Sequence, residues 1–292
     1  LPTYLLSGIA RERVTVVLSG DGGDETFGGY RRYAFDMREN RIRNLVPGDR
    51  GRRLFALAGS LYPESEALAP WLRGKAFLGN VGRTPWDAYF HSVSVLASAE
   101  KQALLAPDIR AALAGYRSET LFEDLYHRAD GRDSLSRVQY IDFKTYLPDE
   151  ILTKVDRASM AHALEVRCPL LDRRVVEFAA SLPASRRIRG GRTKIVLREA
   201  MAGLVPAEVL ARAKMGFAVP LRSWLRADAA ALVAARLLPD RRLDTFLVPG
   251  RVRGLWEEHQ SGRHDRSRAL WSLLMLSAWL DQRERAAVRV AG

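Results

Sequence analysis

Cysteine is nearly missing from this chain: Cys168 is the only one in 292 residues. One thiol excludes an internal disulfide and any zinc site built from several cysteines. It sits in the apolar stretch VRCPLL and reads as a small buried side chain. Lysine is scarce as well, with six of the 46 Lys and Arg positions. The net charge of +12 and pI of about 10.2 would suit a polyanionic partner. The arginines, however, come in scattered pairs such as Arg31-Arg32, Arg52-Arg53 and Arg241-Arg242, and coding bias also yields an Arg-rich, Lys-poor chain. Nucleic acid is therefore not the expected partner. Long apolar runs are lacking too: ALWSLLMLSAWL, residues 269–280, is shorter than the roughly 20 residues of a membrane span and reads as a core helix. No leader peptide is visible, so no membrane role and a cytoplasmic setting are expected. Histidines 91, 127, 162, 259 and 264 show no ligand spacing, and no catalytic triad is apparent.

What the chain does have is VTVVLSGDGGDETFGGY, residues 14–30. Val14–Leu18 is β-branched and continuously apolar, as expected of a parallel strand covered on both faces. The loop after it, Ser19-Gly20-Asp21-Gly22-Gly23-Asp24-Glu25, lies where α/β folds bind nucleotides, outside the carboxyl end of a strand. Glycine lets backbone N–H groups approach a phosphate there. No Gly-Lys-Ser/Thr follows, so this is not a Walker loop, and acids at 21, 24 and 25 would repel a bare pyrophosphate. Carboxylates beside a phosphate make sense with Mg²⁺ between them. Asp24 is the candidate metal ligand, with Asp21 or Glu25 facing a second ligand. Glu25 reads equally as an acid opening the next helix.

Two later stretches carry mixed charge. In YLPDEILTKVDRASM, Asp149, Thr153 and Asp156 share a helix face, with Lys154 and Arg157 beside them. Leu164–Asp172 then sets Glu165 and Arg167 among apolar neighbours, either at a substrate site or as a buried structural pair. In RAKMGFAVP, Lys214 precedes a glycine in a loop and could act as a point charge over a phosphate. From Leu147 the pattern is helical up to Pro169, and Thr193–Leu204 is a further helical run. The tail, Val252–Val290, reads as one or two helices with Trp256, Trp271 and Trp279 facing the core. One strand, at most two, belongs to this chain. Residues 1–30 thus form the strand and nucleotide loop, and 31–292 are mainly helical.

SGDGGDETFGGY, YLPDEILTKVDRASMAHALEVRCPLLD and AKMGFAVPLRSWL, in this order, resemble the synthetase domain of glutamine-dependent asparagine synthetases. The resemblance runs through essentially the whole chain. It implies an ATP-pyrophosphatase (adenine-nucleotide α-hydrolase-like, Rossmann-like α/β) fold in which ATP adenylates the aspartate side chain and ammonia from glutamine displaces AMP. By resemblance, Ser19 and Gly20, with Gly22 beside them, match ATP contacts. Asp21 matches an acid that handles the incoming ammonia, Asp24 a Mg²⁺–pyrophosphate ligand, and Lys214 a lysine that stabilises phosphate charge. Glu25, Asp156, Arg157, Glu165 and Arg167 are substrate-site or structural. The family's Ser-Gly-Gly-x-Asp-Ser loop and its glutaminase domain are not found here, and both are expected upstream. A related ligase acting on another carboxylate, or a non-catalytic member of the fold, is the alternative. The resemblance also leaves room for a homodimer.

Overall fold

A computed structural model describes residues 1–46, 48–62, 74–212 and 219–291. The chain divides into two units. The first comprises Leu1–Val93 and Ser118–Met215, the second Ser94–Arg117 and Gly216–Gly292.

The chain enters on α1 (Pro2–Arg11), with Pro2 in the first turn, where a missing N–H costs nothing. Strand β1 (Val16–Leu18) leads through the glycine loop to the short α2 (Gly23–Phe27) and then to α3 (Arg31–Leu45). Next come α4 (Gly48–Leu61), α5 (Lys75–Val81) and α6 (Pro85–Val93), before α7 (Ser98–Leu104) and α8 (Pro107–Ala112) of the second unit. The first unit resumes with α9 (Glu119–Arg128) and α10 (Ser134–Lys144). A π-helical turn, Leu147–Leu152, runs into α11 (Thr153–Met160), followed by β2 (Glu165–Arg167) and the 3₁₀ turn Pro169–Leu171. Helices α12 (Arg173–Ser181), α13 (Ala184–Arg187), α14 (Ile195–Ala200) and α15 (Ala207–Ala211) complete it.

The helix expected to run from Leu147 to Pro169 stops at Met160. Its inward positions Ile151, Val155 and Ser159 end there, and Ala163 turns the chain with a left-handed φ of 53°. The polar–apolar–polar triplet Glu165-Val166-Arg167 then alternates as a strand does. It pairs in parallel with β1, in the register Val16↔Glu165, Val17↔Val166 and Leu18↔Arg167. Among the described residues β1 has this one ladder partner. It is not covered on both faces as its composition predicts: Val16 is 38% exposed and Leu18 73%. Two strands alone cannot form the sandwiched interior that such a sequence is built for. The core of the first unit lies instead among the helices, at Tyr33, Tyr89, Leu135, Val138, Ile141 and Ile188.

The second unit adds α16 (Leu221–Trp224), α17 (Ala230–Leu237), α18 (Arg251–Gln260) and α19 (Ser267–Ala291) to α7 and α8. Its core gathers Leu104, Leu225, Leu237, Leu243, Leu270 and Leu273. Of the three tail tryptophans, Trp256 packs against this core, whereas Trp271 and Trp279 do not face it. Leu270, Leu273 and Ser277 hold the inward stripe of α19. Trp271, Met275 and Trp279 repeat at i, i+4, i+8 on another stripe, and the Arg283 guanidinium lies 5.2 Å from the Trp279 ring. Among the described residues no helix is long and apolar enough to cross a membrane.

Candidate active site

Parallel pairing fixes where the glycine loop begins, because the Ser19 N–H still donates to Arg167 O (2.8 Å) at the carboxyl end of the sheet. Ser19 Oγ donates to the Asp21 carboxylate and accepts the Asp21 N–H (3.2 Å), closing a small turn. Gly20 is exposed, and a Cβ added there would meet no atom within 4 Å. Its backbone is open to a ligand. Gly22 is different. It has φ 81°, and a Cβ would fall 2.1 Å from Leu171 Cδ2, so its glycine is required by packing and by the left-handed turn into α2. Cys168 lies close by: its thiol is pushed up first by burial and then by the negative charge of Asp21.

Asp24, in the first turn of α2, meets a partner that the sequence patterns do not single out. Lys194 Nζ stands 2.9 Å from Asp24 Oδ1, both side chains being about one-quarter exposed. Lys194 is delivered by the Gly190-Gly191 turn, where both glycines have positive φ, and it holds a left-handed φ of 54° itself. That conformation costs a lysine about 1–2 kcal/mol. Such strain persists where the surroundings enforce it, often at a functional site. Gly29 backs the pair: a Cβ there would lie 1.8 Å from Asp24 Oδ1 and 2.3 Å from Lys194 Cε.

Glu25, one residue on, points the other way. It is 1% exposed and accepts 2.7 Å from the Tyr30 hydroxyl. Burial raises its carboxyl above the usual range, and the Tyr30 hydrogen bond offsets part of that. Behind Tyr30 the Arg32 guanidinium lies 3.9 Å from the Tyr30 ring and 4.6 Å from the Tyr146 ring. Arg32 also donates to Asp142 at 2.7 Å, and the Tyr33 and Tyr89 hydroxyls bond the same oxygen at 2.5 and 2.7 Å. Glu25 therefore belongs to the packing that holds α2 in place.

The remaining candidates divide. Glu165 and Arg167 do pair, at 2.7 Å, but on an exposed face of β2, with side chains 55% and 65% exposed. The buried pair that their apolar neighbours suggest is not formed, since alternation along the strand turns both outward. Asp156 and Arg157 are exposed on α11, as are Thr153 and Lys154, while Val155 and Ser159 face inward; Asp149 is exposed on the π-helical turn before it. Among the described residues, no hydrogen bond or ion pair joins Asp156 or Arg157 to the glycine loop. Lys214 lies outside the described residues. No group of three or more His, Cys, Asp or Glu side chains that could hold a metal occurs among them either.

Comparison with known proteins gives this geometry a family. The asparagine synthase family model matches residues 1–281. The chain belongs to that family. Its fold is accordingly of the ATP-pyrophosphatase type, mostly helical around a two-stranded parallel sheet. A Bacillus subtilis protein named asparagine synthetase [glutamine-hydrolyzing] 1 is 31% identical over 283 residues, covering 96% of this chain and 42% of the relative. A Mycobacterium tuberculosis protein with a provisional name of the same kind is 34% identical over 283 residues, covering 96% and 41%. A Gibberella zeae protein named amidase chry2 is 26% identical over 239 residues, covering 75% and 34%. The chain thus spans about two fifths of the first two relatives.

Proposed function

We propose that this chain is the ligase part of a glutamine-hydrolysing asparagine synthetase. In that reading the aspartate side-chain carboxylate attacks the α-phosphorus of ATP and expels pyrophosphate. Ammonia derived from glutamine then attacks the acyl carbon, AMP leaves, and the extra proton passes to a nearby base. Asparagine, AMP and pyrophosphate are the products. The observation that supports this most directly is the Asp24–Lys194 pair beside an open glycine loop at the carboxyl end of a parallel strand.

Each residue has a role in that scheme. Gly20 and Ser19 present backbone to the nucleotide, and Gly22 holds the turn that lets them do so. Lys194 carries its charge on a strained backbone next to Asp24, positioned to neutralise phosphate oxygens. Lys214 is assigned the same task by the family resemblance. Asp21, tied by Ser19, is the base for the ammonium proton. The donor set fits Mg²⁺: a hard cation of this size takes one or two carboxylates and completes its shell with substrate phosphates. Asp24 would supply the carboxylate, and the ion would spread the charge of the leaving pyrophosphate. A glutaminase segment elsewhere in the full-length protein would deliver the ammonia.

A second reading, a ligase of the same chemistry on a different carboxylate, is favoured by the likeness to the amidase-named relative. The intact polypeptide containing this chain decides between them. AMP release should require aspartate and yield asparagine. Release that ignores aspartate and responds to another acid overturns the first reading and supports the second.

A further inference from the structure

A pocket of about 690 Å³ lies between α10, α12 and the start of α13, on the far side of Thr26 in α2. Its walls include the apolar side chains Phe143, Val176 and Leu182, and Arg187 lines it with Ser136 and Gln139. The Arg187 side chain is 3% exposed, yet its hydrogen-bond acceptors are neutral. Nη1 donates to Gln139 Oε1, and Nη2 donates to Ser136 Oγ at 2.7 Å. Among the described residues the nearest carboxylate oxygen, Asp133 Oδ2, stands 3.7 Å away, beyond hydrogen-bond distance. Asp133 already caps α10 by accepting the Ser136 N–H at 2.8 Å. Arg187 Nε is buried with no acceptor among the described residues.

A buried guanidinium whose carboxylate neighbour stands beyond hydrogen-bond distance recovers only part of the hydration it loses. Burial accordingly pushes Arg187 down, against a partial pull from Asp133. An anion in the pocket would supply what the protein withholds. Arginine's planar fork matches a carboxylate in particular, and the apolar walls call for a hydrocarbon body behind it.

We propose that this pocket binds a small organic carboxylate, its oxygens on Arg187 and its carbon skeleton against Phe143, Val176 and Leu182. The site reports to the glycine loop. Gln139 accepts from Arg187 through its carbonyl and, through its amide, donates to Glu25 O at 2.5 Å and to Thr26 O at 3.4 Å. A carboxylate that draws Arg187 towards itself alters the hold on the last turn of α2.

Butyrate is the probe, with butylamine as the same body carrying the opposite charge. Calorimetry on the intact polypeptide should show butyrate binding and no butylamine binding. Ala180 lines the pocket from α12, so Ala180→Trp should fill the space and weaken butyrate about tenfold or more. Arg187→Met should do the same by removing the charge. If Arg187→Met does not fold, the Ala180→Trp result still decides. Undiminished butyrate binding to Ala180→Trp, no butyrate binding to the parent, or equal binding of butylamine each overturns the proposal.

Discussion

The glycine loop and the α3–α10 interior both crowd carboxylates, and they hold them in opposite ways. At the loop, Asp24 stays about one-quarter exposed beside Lys194, and Asp21 is half-buried with a serine. In the interior, Asp36 is 3% exposed, Glu39 5% and Asp142 2%. Glu39 accepts from Asn80 Nδ2 at 3.0 Å, and Asp36 accepts from Asn40 Nδ2 at 2.9 Å. Arg43, which donates to Asn40 and to Asn80 O, sits among them. Asp142 is met by a guanidinium and two phenols. The interior shuts its acids away from solvent, whereas the loop keeps Asp21 and Asp24 partly exposed at the end of the strand. Charge that must meet a ligand cannot be spent on the fold.

The largest effect should come from the best-satisfied interior acid. Asp142→Ala removes the carboxylate partner of Arg32 and the acceptor of two buried phenol O–H groups, which should cost about 3–5 kcal/mol of stability by denaturant unfolding. A cost under about 1 kcal/mol would show that this cluster does not anchor the fold. At the loop the order reverses. Asp24→Asn should lower AMP release by about 10²–10³-fold, the loss typical of removing one electrostatic contact at a reacting centre. Stability should change by less than about 1 kcal/mol, because the pair is partly exposed. Parental activity in this variant would remove Asp24 from the chemistry.

Asp36 sharpens the contrast through pH. Burial, followed by the charge of Glu39, raises its carboxyl from 3.8 to about 8. Below about pH 4 it is protonated in both folded and unfolded chains, and it contributes no pH dependence. Between about 4 and 8 the unfolded chain loses this proton and the native chain keeps it, so its contribution falls as pH rises. Asp36→Asn removes that dependence. Relative to the parent the variant should gain stability from pH 5 to 8, with a slope no steeper than about 1.4 kcal/mol per pH unit. Parallel stability curves would place the Asp36 proton elsewhere.

How much of this could be read beforehand depends on distance along the chain. The loop, the first strand and the helical remainder are local or short-period signals, and they show in SGDGGDE and in Val14–Leu18, whereas the second strand lies inside a run that reads as helical. Lys194 is invisible to such a reading. It is one lysine after a Gly-Gly turn, and only folding carries it across some 170 residues to Asp24. Gly29 reads as one more loop glycine until the pair it makes room for is known. Asp36, Glu39 and Arg43 of α3 are buried where Asn40 and Asn80 bond them, and Asn80 lies some 40 residues away along the chain. Conversely, the apolar context of Glu165 and Arg167 suggests burial, and strand alternation defeats it.

That last pair gives the smallest effect and the cleanest control. Glu165 and Arg167 are as close as Asp24 and Lys194, at 2.7 against 2.9 Å, but more than half exposed. Water screens their attraction, and ordering two long side chains offsets most of what remains. Glu165→Gln should therefore shift unfolding free energy by no more than about 0.5 kcal/mol. Raising the salt concentration should shrink that small difference further, and AMP release should stay at the parental rate. Short distance alone would then be excluded as the mark of a working ion pair. A tenfold fall in AMP release would instead move β2 into the site and dissolve the distinction between the two pairs.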